Sequence, residues 1–325
     1  MRNSLKPIIA PGFLGISIPI ALGLFLWIVG HFFYLYSFPD EIPWLISLFP
    51  ISTLVGELIC FSVTLIIGFI LTHLIEQFSI IRTRTLLPAF FFVFLMSTNP
   101  ALHLAQSGLI GALILLLAVG QFLPMYQDKK AVQCAFNVMF ILSVGSFIVV
   151  ELALFIPVFL IGFSIYQSFS FRTISASLIG LIAPIFVIFS GFYLWSNVQI
   201  LIQYFLKGWH FQFFFPLEIR TFIYFSLLVI IFFISTLNFM VDSHQEKIRT
   251  RRTLQFFIFL FFVSAILLLF KGNNWTQIAP MASIFLVSLI SHFFSLEAGR
   301  FSLIVFWILI LSSLVYFIHL LFFTP

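Results

Sequence analysis

Asp40 and Glu41 stand side by side in "HFFYLYSFPDEIPW", His31 to Trp44, where a long apolar run ends. The chain holds only 10 acidic residues among 325, so an adjacent pair asks for an explanation. Pro39 and Pro43 flank the pair and restrict the local backbone. Two carboxylates held at a membrane surface suit two kinds of chemistry. One is general-base activation of a hydroxyl, which needs a base within hydrogen-bond reach. The other is ligation of a divalent cation, Mg or Mn, which takes oxygen ligands and assists a phosphate leaving group. A polar, proline-flanked turn between two spans explains the same residues without any chemistry.

Other candidates lie in or beside apolar runs. Glu57, in "TLVGELIC", sits well inside the second run. An ionisable group at mid-membrane costs about 2.5–3.5 kcal/mol on insertion scales, and less near the interface, so such an acid faces a cavity or a partner. Glu151 and Arg220 are the partners considered for it. Glu151 alone also reads as a helix-end residue at the surface. His31 and His103 map to the same side and could approach the acidic pair, although a lone imidazole at an interface is commonly just a polar residue. Lys207, Arg220 and Lys271 are the cations available on that side for a substrate phosphate. The chain lacks a Gly-rich phosphate loop, a paired-cysteine motif and a His-x-x-Glu-His type spacing. Zinc, nucleotide and serine-hydrolase chemistry have no support in it.

The elements that must position these residues follow from composition. The chain is 62% hydrophobic and 8% charged, against roughly 45–50% and about 25% in soluble domains. Mean hydropathy is +1.21. This composition predicts an all-α, polytopic transmembrane bundle, because apolar runs of about 20 residues form spanning helices. Alternating barrel segments are not present. About eleven spans are expected, near 8–36, 51–75, 86–98, 107–126, 132–150, 153–169, 174–195, 219–241, 254–270, 277–296 and 301–322. The third is the shortest. The first run is too long for a cleaved leader and reads as a retained helix. The 49 Phe residues fit lipid-facing surface. Cys60 and Cys134 fall within or at the ends of apolar runs, so no disulfide is expected.

Charge sets the expected orientation. The N-terminus and the loops after the second, fourth, sixth, eighth and tenth spans hold 12 of the 15 basic residues, including the run "HQEKIRTRR" from His244 to Arg252. The positive-inside rule then places the N-terminus in the cytoplasm and the C-terminus outside. Nucleic-acid binding is not indicated, since the basic charge is topological. Asp40, Glu41, Glu57 and Glu151 map outward. Between spans seven and eight, Val198, Leu201, Ile202, Phe205, Leu206 and Trp209 recur at helical spacing. Gln199, Gln203, Lys207 and His210 mark another face, which predicts an interfacial amphipathic helix.

Two resemblances follow. From "THLIEQFSIIRTRTLLPAFFFVFLMSTNP" to "FRTISASLIGLIAP", roughly residues 72–184, the chain resembles an uncharacterised family of bacterial multi-pass membrane proteins. The carrying features are "LLP" opening the third span, "FN" opening the fifth, and "FR", "LIG" and a Pro in the seventh. More distantly, it looks like the membrane module of the GT-C glycosyltransferases. The matching features are paired acids in the first outer loop, a short third span returning through "NPALHLAQSG", and a tight hairpin around Glu151. That resemblance implies a single membrane domain over 1–325: a GT-C-like module at 1–195, the interfacial helix at 196–216 and four further spans at 217–325. It implies transfer of a sugar or related group from a polyprenyl-phosphate carrier at the outer face of a bacterial inner membrane. Asp40 or Glu41 would be the base or the metal ligand. The carry-over reaches only that pair; Glu57, His103, Glu151, Lys207 and Arg220, read from the residues themselves, would contact substrate. The sequence departs from that pattern in having no surface helix after the acidic pair and no sugar-binding domain.

The alternative class is non-enzymatic: a scaffold or transporter component of an envelope complex. A transporter would show inverted repeats and interrupted helices. No convincing repeat is visible, and Pro157, Pro184 and Pro280 form no corresponding pairs.

The orientation is checked by single-cysteine labelling from outside intact cells. Labelling should fail within 76–85, 127–131 and 242–253 and succeed at Ser37 and Asn273.

Overall fold

The computed structural model describes residues 13–34, 53–194, 219–242, 246–270, 275–296 and 299–323, with isolated positions at 199, 202–203 and 205–206. These residues are all helical or in short connections. Eleven α-helices follow in order: α1 Phe13–Phe33, α2 Thr53–Gln77, α3 Leu87–Ser97, α4 Gln106–Phe122, α5 Val132–Ser146, α6 Ile156–Ile165, α7 Phe171–Leu194, α8 Ile219–Asp242, α9 Ile248–Phe270, α10 Trp275–Leu296 and α11 Arg300–Phe323. Eight are long and apolar enough to cross a membrane. The protein is a multi-pass integral membrane protein, and its helices correspond one for one to the expected spans.

Three helices are shorter than expected. α3 has 11 residues, α5 has 15 and α6 has 10. At 1.5 Å per residue these give about 15–23 Å, against a hydrocarbon thickness of about 30 Å. Each is completed by a 3₁₀ turn at one end. Pro100 ends α3: a residue preceding proline is pushed out of the helical region, and Asn99 is extended at φ −124°, ψ 98°. The 3₁₀ turn Pro100–Leu102 follows. Val149 repeats the device at φ −132°, ψ 104°, ahead of the 3₁₀ turn Val150–Phe155 that leads into α6.

The opposite ends of these hairpins also repeat. Among the described residues, Ser79, Gln127 and Gln167 are the non-glycine residues with positive φ, at 50°, 59° and 55°. Each follows an aromatic residue: Phe78, Tyr126 and Tyr166. The left-handed conformation is costly for side chains larger than glycine, so three such corners mark a repeated reversal. Two of the three corners read "YQ" in the sequence.

α10 is the core element. Every residue from Ile278 to Phe294 except Ser283 is buried. α3, α4, α8 and α9 enclose it. α3 is buried along its whole length, as a helix apolar on all sides should be. α1 and α7 lie at the periphery, with Phe32, Phe186 and Leu194 exposed to lipid. Glycine sets the closest approaches: Gly68 meets the Ala89 backbone, Gly108 the Thr276 carbonyl, and Gly180 the Phe136 carbonyl. A side chain at Gly108 or Gly180 would push the helices apart.

The basic loops gather on one face. Thr250 Oγ1 donates to the Ser79 carbonyl at 3.4 Å, and Arg249 donates to the Leu123 carbonyl at 3.1 Å. The Gln127 N–H donates to the Tyr166 carbonyl at 3.0 Å, and Ser170 Oγ donates to the Lys129 carbonyl at 3.0 Å. Chain reversals after α2, α4, α6 and α8 therefore share one end of the bundle, which agrees with the alternation read from charge.

A Cβ at Gly180 would collide with the Phe136 backbone, where no side chain can swing away. Gly180→Ala should lower stability by about 1–3 kcal/mol, the usual range for overpacking. Gly191→Ala, on the same helix with open space around it, should be neutral or stabilising. Thermal melting of the full-length protein in detergent checks the difference.

Candidate functional site

At the end opposite the basic loops, α1 and α2 run side by side. His31 and Trp27 are four residues apart on α1, and Glu57 and Phe61 are four apart on α2, so each pair shares a helix face. His31 Nδ1 lies 2.8 Å from Glu57 Oε2. One turn deeper, the Trp27 and Phe61 rings meet edge to face at 5.3 Å. The Glu57 side chain is 8% exposed and that of His31 is 32% exposed. The acid is thus enclosed while the imidazole reaches the surface. Glu57 Oε1 is buried and has no hydrogen-bond partner among the described residues. Among the described residues the partner of Glu57 is His31, brought opposite by helical spacing, and not the Glu151 considered for it; the Arg220 side chain lies outside the description.

Behind this pair lies the break between α3 and α4. Trp27 Nε1–H donates to Ser97 Oγ at 3.1 Å, and Ser97 Oγ donates to the Val93 carbonyl at 2.7 Å. His103 stacks on Trp27 with centroids 4.1 Å apart and planes 13° apart. Its Nε2 lies 3.1 Å from the Ser97 carbonyl. A carbonyl only accepts, so Nε2 carries a proton and the ring caps the end of α3. His103 is fully buried. It serves the broken helix end and does not line an open surface. Asn99 is buried too, and its Oδ1 has no partner among the described residues.

A third layer joins this loop to α8 and α11. The Tyr224 hydroxyl lies 3.2 Å from Ser313 Oγ and also bonds to Thr98. The Tyr224 and Tyr316 rings stack at 4.1 Å, and Tyr316 donates to Thr221 Oγ1 at 3.5 Å. Along the lipid side of α8 and α11 runs an apolar groove of about 480 Å³, lined by Phe222, Ile223, Leu227, Ile230, Val305 and Ile308.

Of the expected site residues, Glu57 and His103 lie at this end, on either side of Trp27. Glu151 is buried in the 3₁₀ turn before α6. It belongs to a helix break, where an exposed helix end was the simpler expectation. Asp40, Glu41, Lys207 and Lys271 lie outside the described residues. Arg220 is placed by its backbone in the first turn of α8, its side chain outside the description. The interfacial helix expected over 197–210 falls mostly outside the description; its Phe205 ring meets Phe147 edge to face at 5.3 Å. No group of three or more His, Cys, Asp or Glu that could hold a metal ion exists among the described residues. The Mg or Mn expectation therefore rests on Asp40 and Glu41.

Trp27, Ser97, Asn99 and Tyr224 were missed by sequence reasoning. Only the matched four-residue spacings of Trp27–His31 and Glu57–Phe61 could have signalled part of the set. A second polar cluster, at the basic face, was also missed. Arg82 Nε lies 3.1 Å from Glu246 Oε1, and His292 Nε2 lies 3.9 Å from the same oxygen. Glu246 is hidden in the sequence inside a basic run read only as topology.

No protein-family model matches the chain. No curated protein matches it, and no solved structure matches its fold.

Ser97→Ala would leave the buried Trp27 N–H without an acceptor, a loss of about 1–3 kcal/mol. Trp27→Phe combined with Ser97→Ala removes donor and acceptor together. The double variant should therefore cost less than the sum of the two single changes. Melting temperatures of the three variants check the coupling.

Proposed function

We propose that the protein is a GT-C-like transferase that takes a sugar or related group from a polyprenyl-phosphate carrier at the face opposite the basic loops. The carrying observation is the enclosed Glu57 bound to His31 at the root of the segment that bears Asp40 and Glu41. That segment leaves α1 three residues after His31 and enters α2 four residues before Glu57. Asp40 is six residues beyond Tyr34, so chain length keeps it within about 22 Å of that residue. Three carboxylates are therefore tethered to one end of two adjacent helices, in a chain that has few. An ionisable group inside a span is by default a functional candidate.

The groove between α8 and α11 supports a lipid-borne substrate. Its lining is almost wholly apolar, as an isoprenoid chain requires. Arg220 stands two residues before Phe222 on α8, and a cation carried near that end of the groove would suit a phosphate. A phosphate at the head of an apolar tail meets this pattern. With the orientation read from charge, the site faces outward. A non-enzymatic scaffold is favoured by a different observation, the solid packing around α10. It gives no use to the unpartnered oxygen of Glu57.

The test is mass spectrometry of lipid extracts from a deletion strain, with and without the full-length gene. The deletion should accumulate a polyprenyl-linked donor, and the wild-type gene should clear it. Asp40→Asn/Glu41→Gln, made at normal protein level, should leave the donor uncleared. Clearance by this double variant equal to wild type would overturn the acidic-pair chemistry, and no accumulation in the deletion strain would favour the scaffold.

A further inference from the structure

We propose that His31 is the proton acceptor of the transfer and that Glu57 is its positioning residue. This rests on the transferase reading above and names a base that the acidic-pair expectation did not include. With Glu57 ionised, its Oε2 can only accept, so the 2.8 Å contact puts a proton on His31 Nδ1. The basic lone pair then lies on Nε2. The ring's exposure decides where that lone pair can act: a third of the His31 side chain is open, while the Glu57 side chain behind it is enclosed. Among the described residues, no hydrogen bond is made to Nε2, and the ring's other neighbour is Phe32, edge on at 5.5 Å.

The arrangement is that of a carboxylate holding an imidazole in one tautomer and one orientation. Trp27 and Phe61, one turn deeper on the same two faces, fix the helix pair and so fix the distance. His103 does not compete for the role, because its Nε2 proton is committed to the Ser97 carbonyl and the ring is fully buried.

The step balances without a further reactant. The acceptor hydroxyl gives its proton to Nε2 as its oxygen forms the bond to the anomeric carbon. The bond from that carbon to the carrier phosphate oxygen breaks, and the electron pair leaves with the phosphate. The imidazolium produced sits against the Glu57 carboxylate, which stabilises its charge. Water restores the neutral ring after product leaves. Asp40 and Glu41 are then left to orient the acceptor or to hold a cation.

The experiment uses the full-length chain in the deletion strain, with lipid extracts read by mass spectrometry. His31→Gln and Glu57→Gln are each compared with the pair His31→Gln/Glu57→Gln. The pair can still form an amide-to-amide hydrogen bond, so a structural role is met while no proton acceptor remains. The expected result is a normal melting temperature for the pair and donor clearance at least about 100-fold slower than wild type, the lower range for lost acid–base catalysis. Clearance at the wild-type rate would overturn the proposal while leaving the transferase reading intact. A deletion strain with no accumulated donor would overturn the transferase reading and this proposal together. A second measurement needs no substrate. Diethyl pyrocarbonate is applied to the purified protein in phosphatidylethanolamine–phosphatidylglycerol nanodiscs, and modified peptides are quantified. His31 should be carbethoxylated and His103 should not. An unmodified His31 would show that Nε2 is closed to water and would overturn the role.

Discussion

A helix that ends inside a bilayer must find partners for its open backbone groups within the protein, because hydrocarbon supplies none. α3, α5 and α6 all end this way, and much of the fold answers to that constraint. The loop after α3 closes its own N–H groups locally: His103 N–H donates to the Pro100 carbonyl at 3.0 Å and Ala105 N–H to the Leu102 carbonyl at 3.1 Å. The His103 ring takes the Ser97 carbonyl that α3 leaves open. Such a loop tolerates burial only when it is walled in by helices. α1 and α10 pack against it and supply such walls.

The same constraint explains why α10 is enclosed. Short helices cannot shield one another across the full bilayer thickness, so a long, almost wholly buried helix runs through the middle. Pro280 lies inside this helix and removes the bond that its N–H would make to the Thr276 carbonyl. The two ends of the bundle then differ in character. The basic end is tied by corners at Ser79, Gln127 and Gln167 and by bonds from Thr250, Arg249 and Arg82. The other end carries Glu57 Oε1 and Asn99 Oδ1, both buried and without hydrogen-bond partners among the described residues, as Thr85 Oγ1 and His292 Nε2 are toward the basic end. Glu57 differs from these as an acid, and it lies where α1 and α2 meet, bound to His31.

Legibility from sequence varied with the range of the physics involved. Spans and their alternation depend on local hydropathy and on loop charge, and both were readable. The shortness of α3 was readable from Pro100. The shortness of α6 was less so, since Val149 gives no sequence warning of its extended backbone. Glu57 was readable as an anomaly because one acid in an apolar run is visible locally. Its partner was not: Glu151 and Arg220 looked equally available in a linear string, while His31 was assigned to the acidic pair.

By itself, the sequence determined that this chain crosses a membrane many times as helices, that its basic loops share one side, and that a few acids lie opposite. Those properties follow from transfer free energy and charge, which sum residue by residue along the chain. Only the tertiary structure decided that Trp27 caps a serine 70 residues away, that His103 is committed to a helix end, and that His31 meets Glu57. These depend on which helix faces adjoin. In an apolar bundle, that choice is made by packing shape and by small residues at contact points. Nearly every face is hydrophobic, so periodicity in the sequence does not announce it.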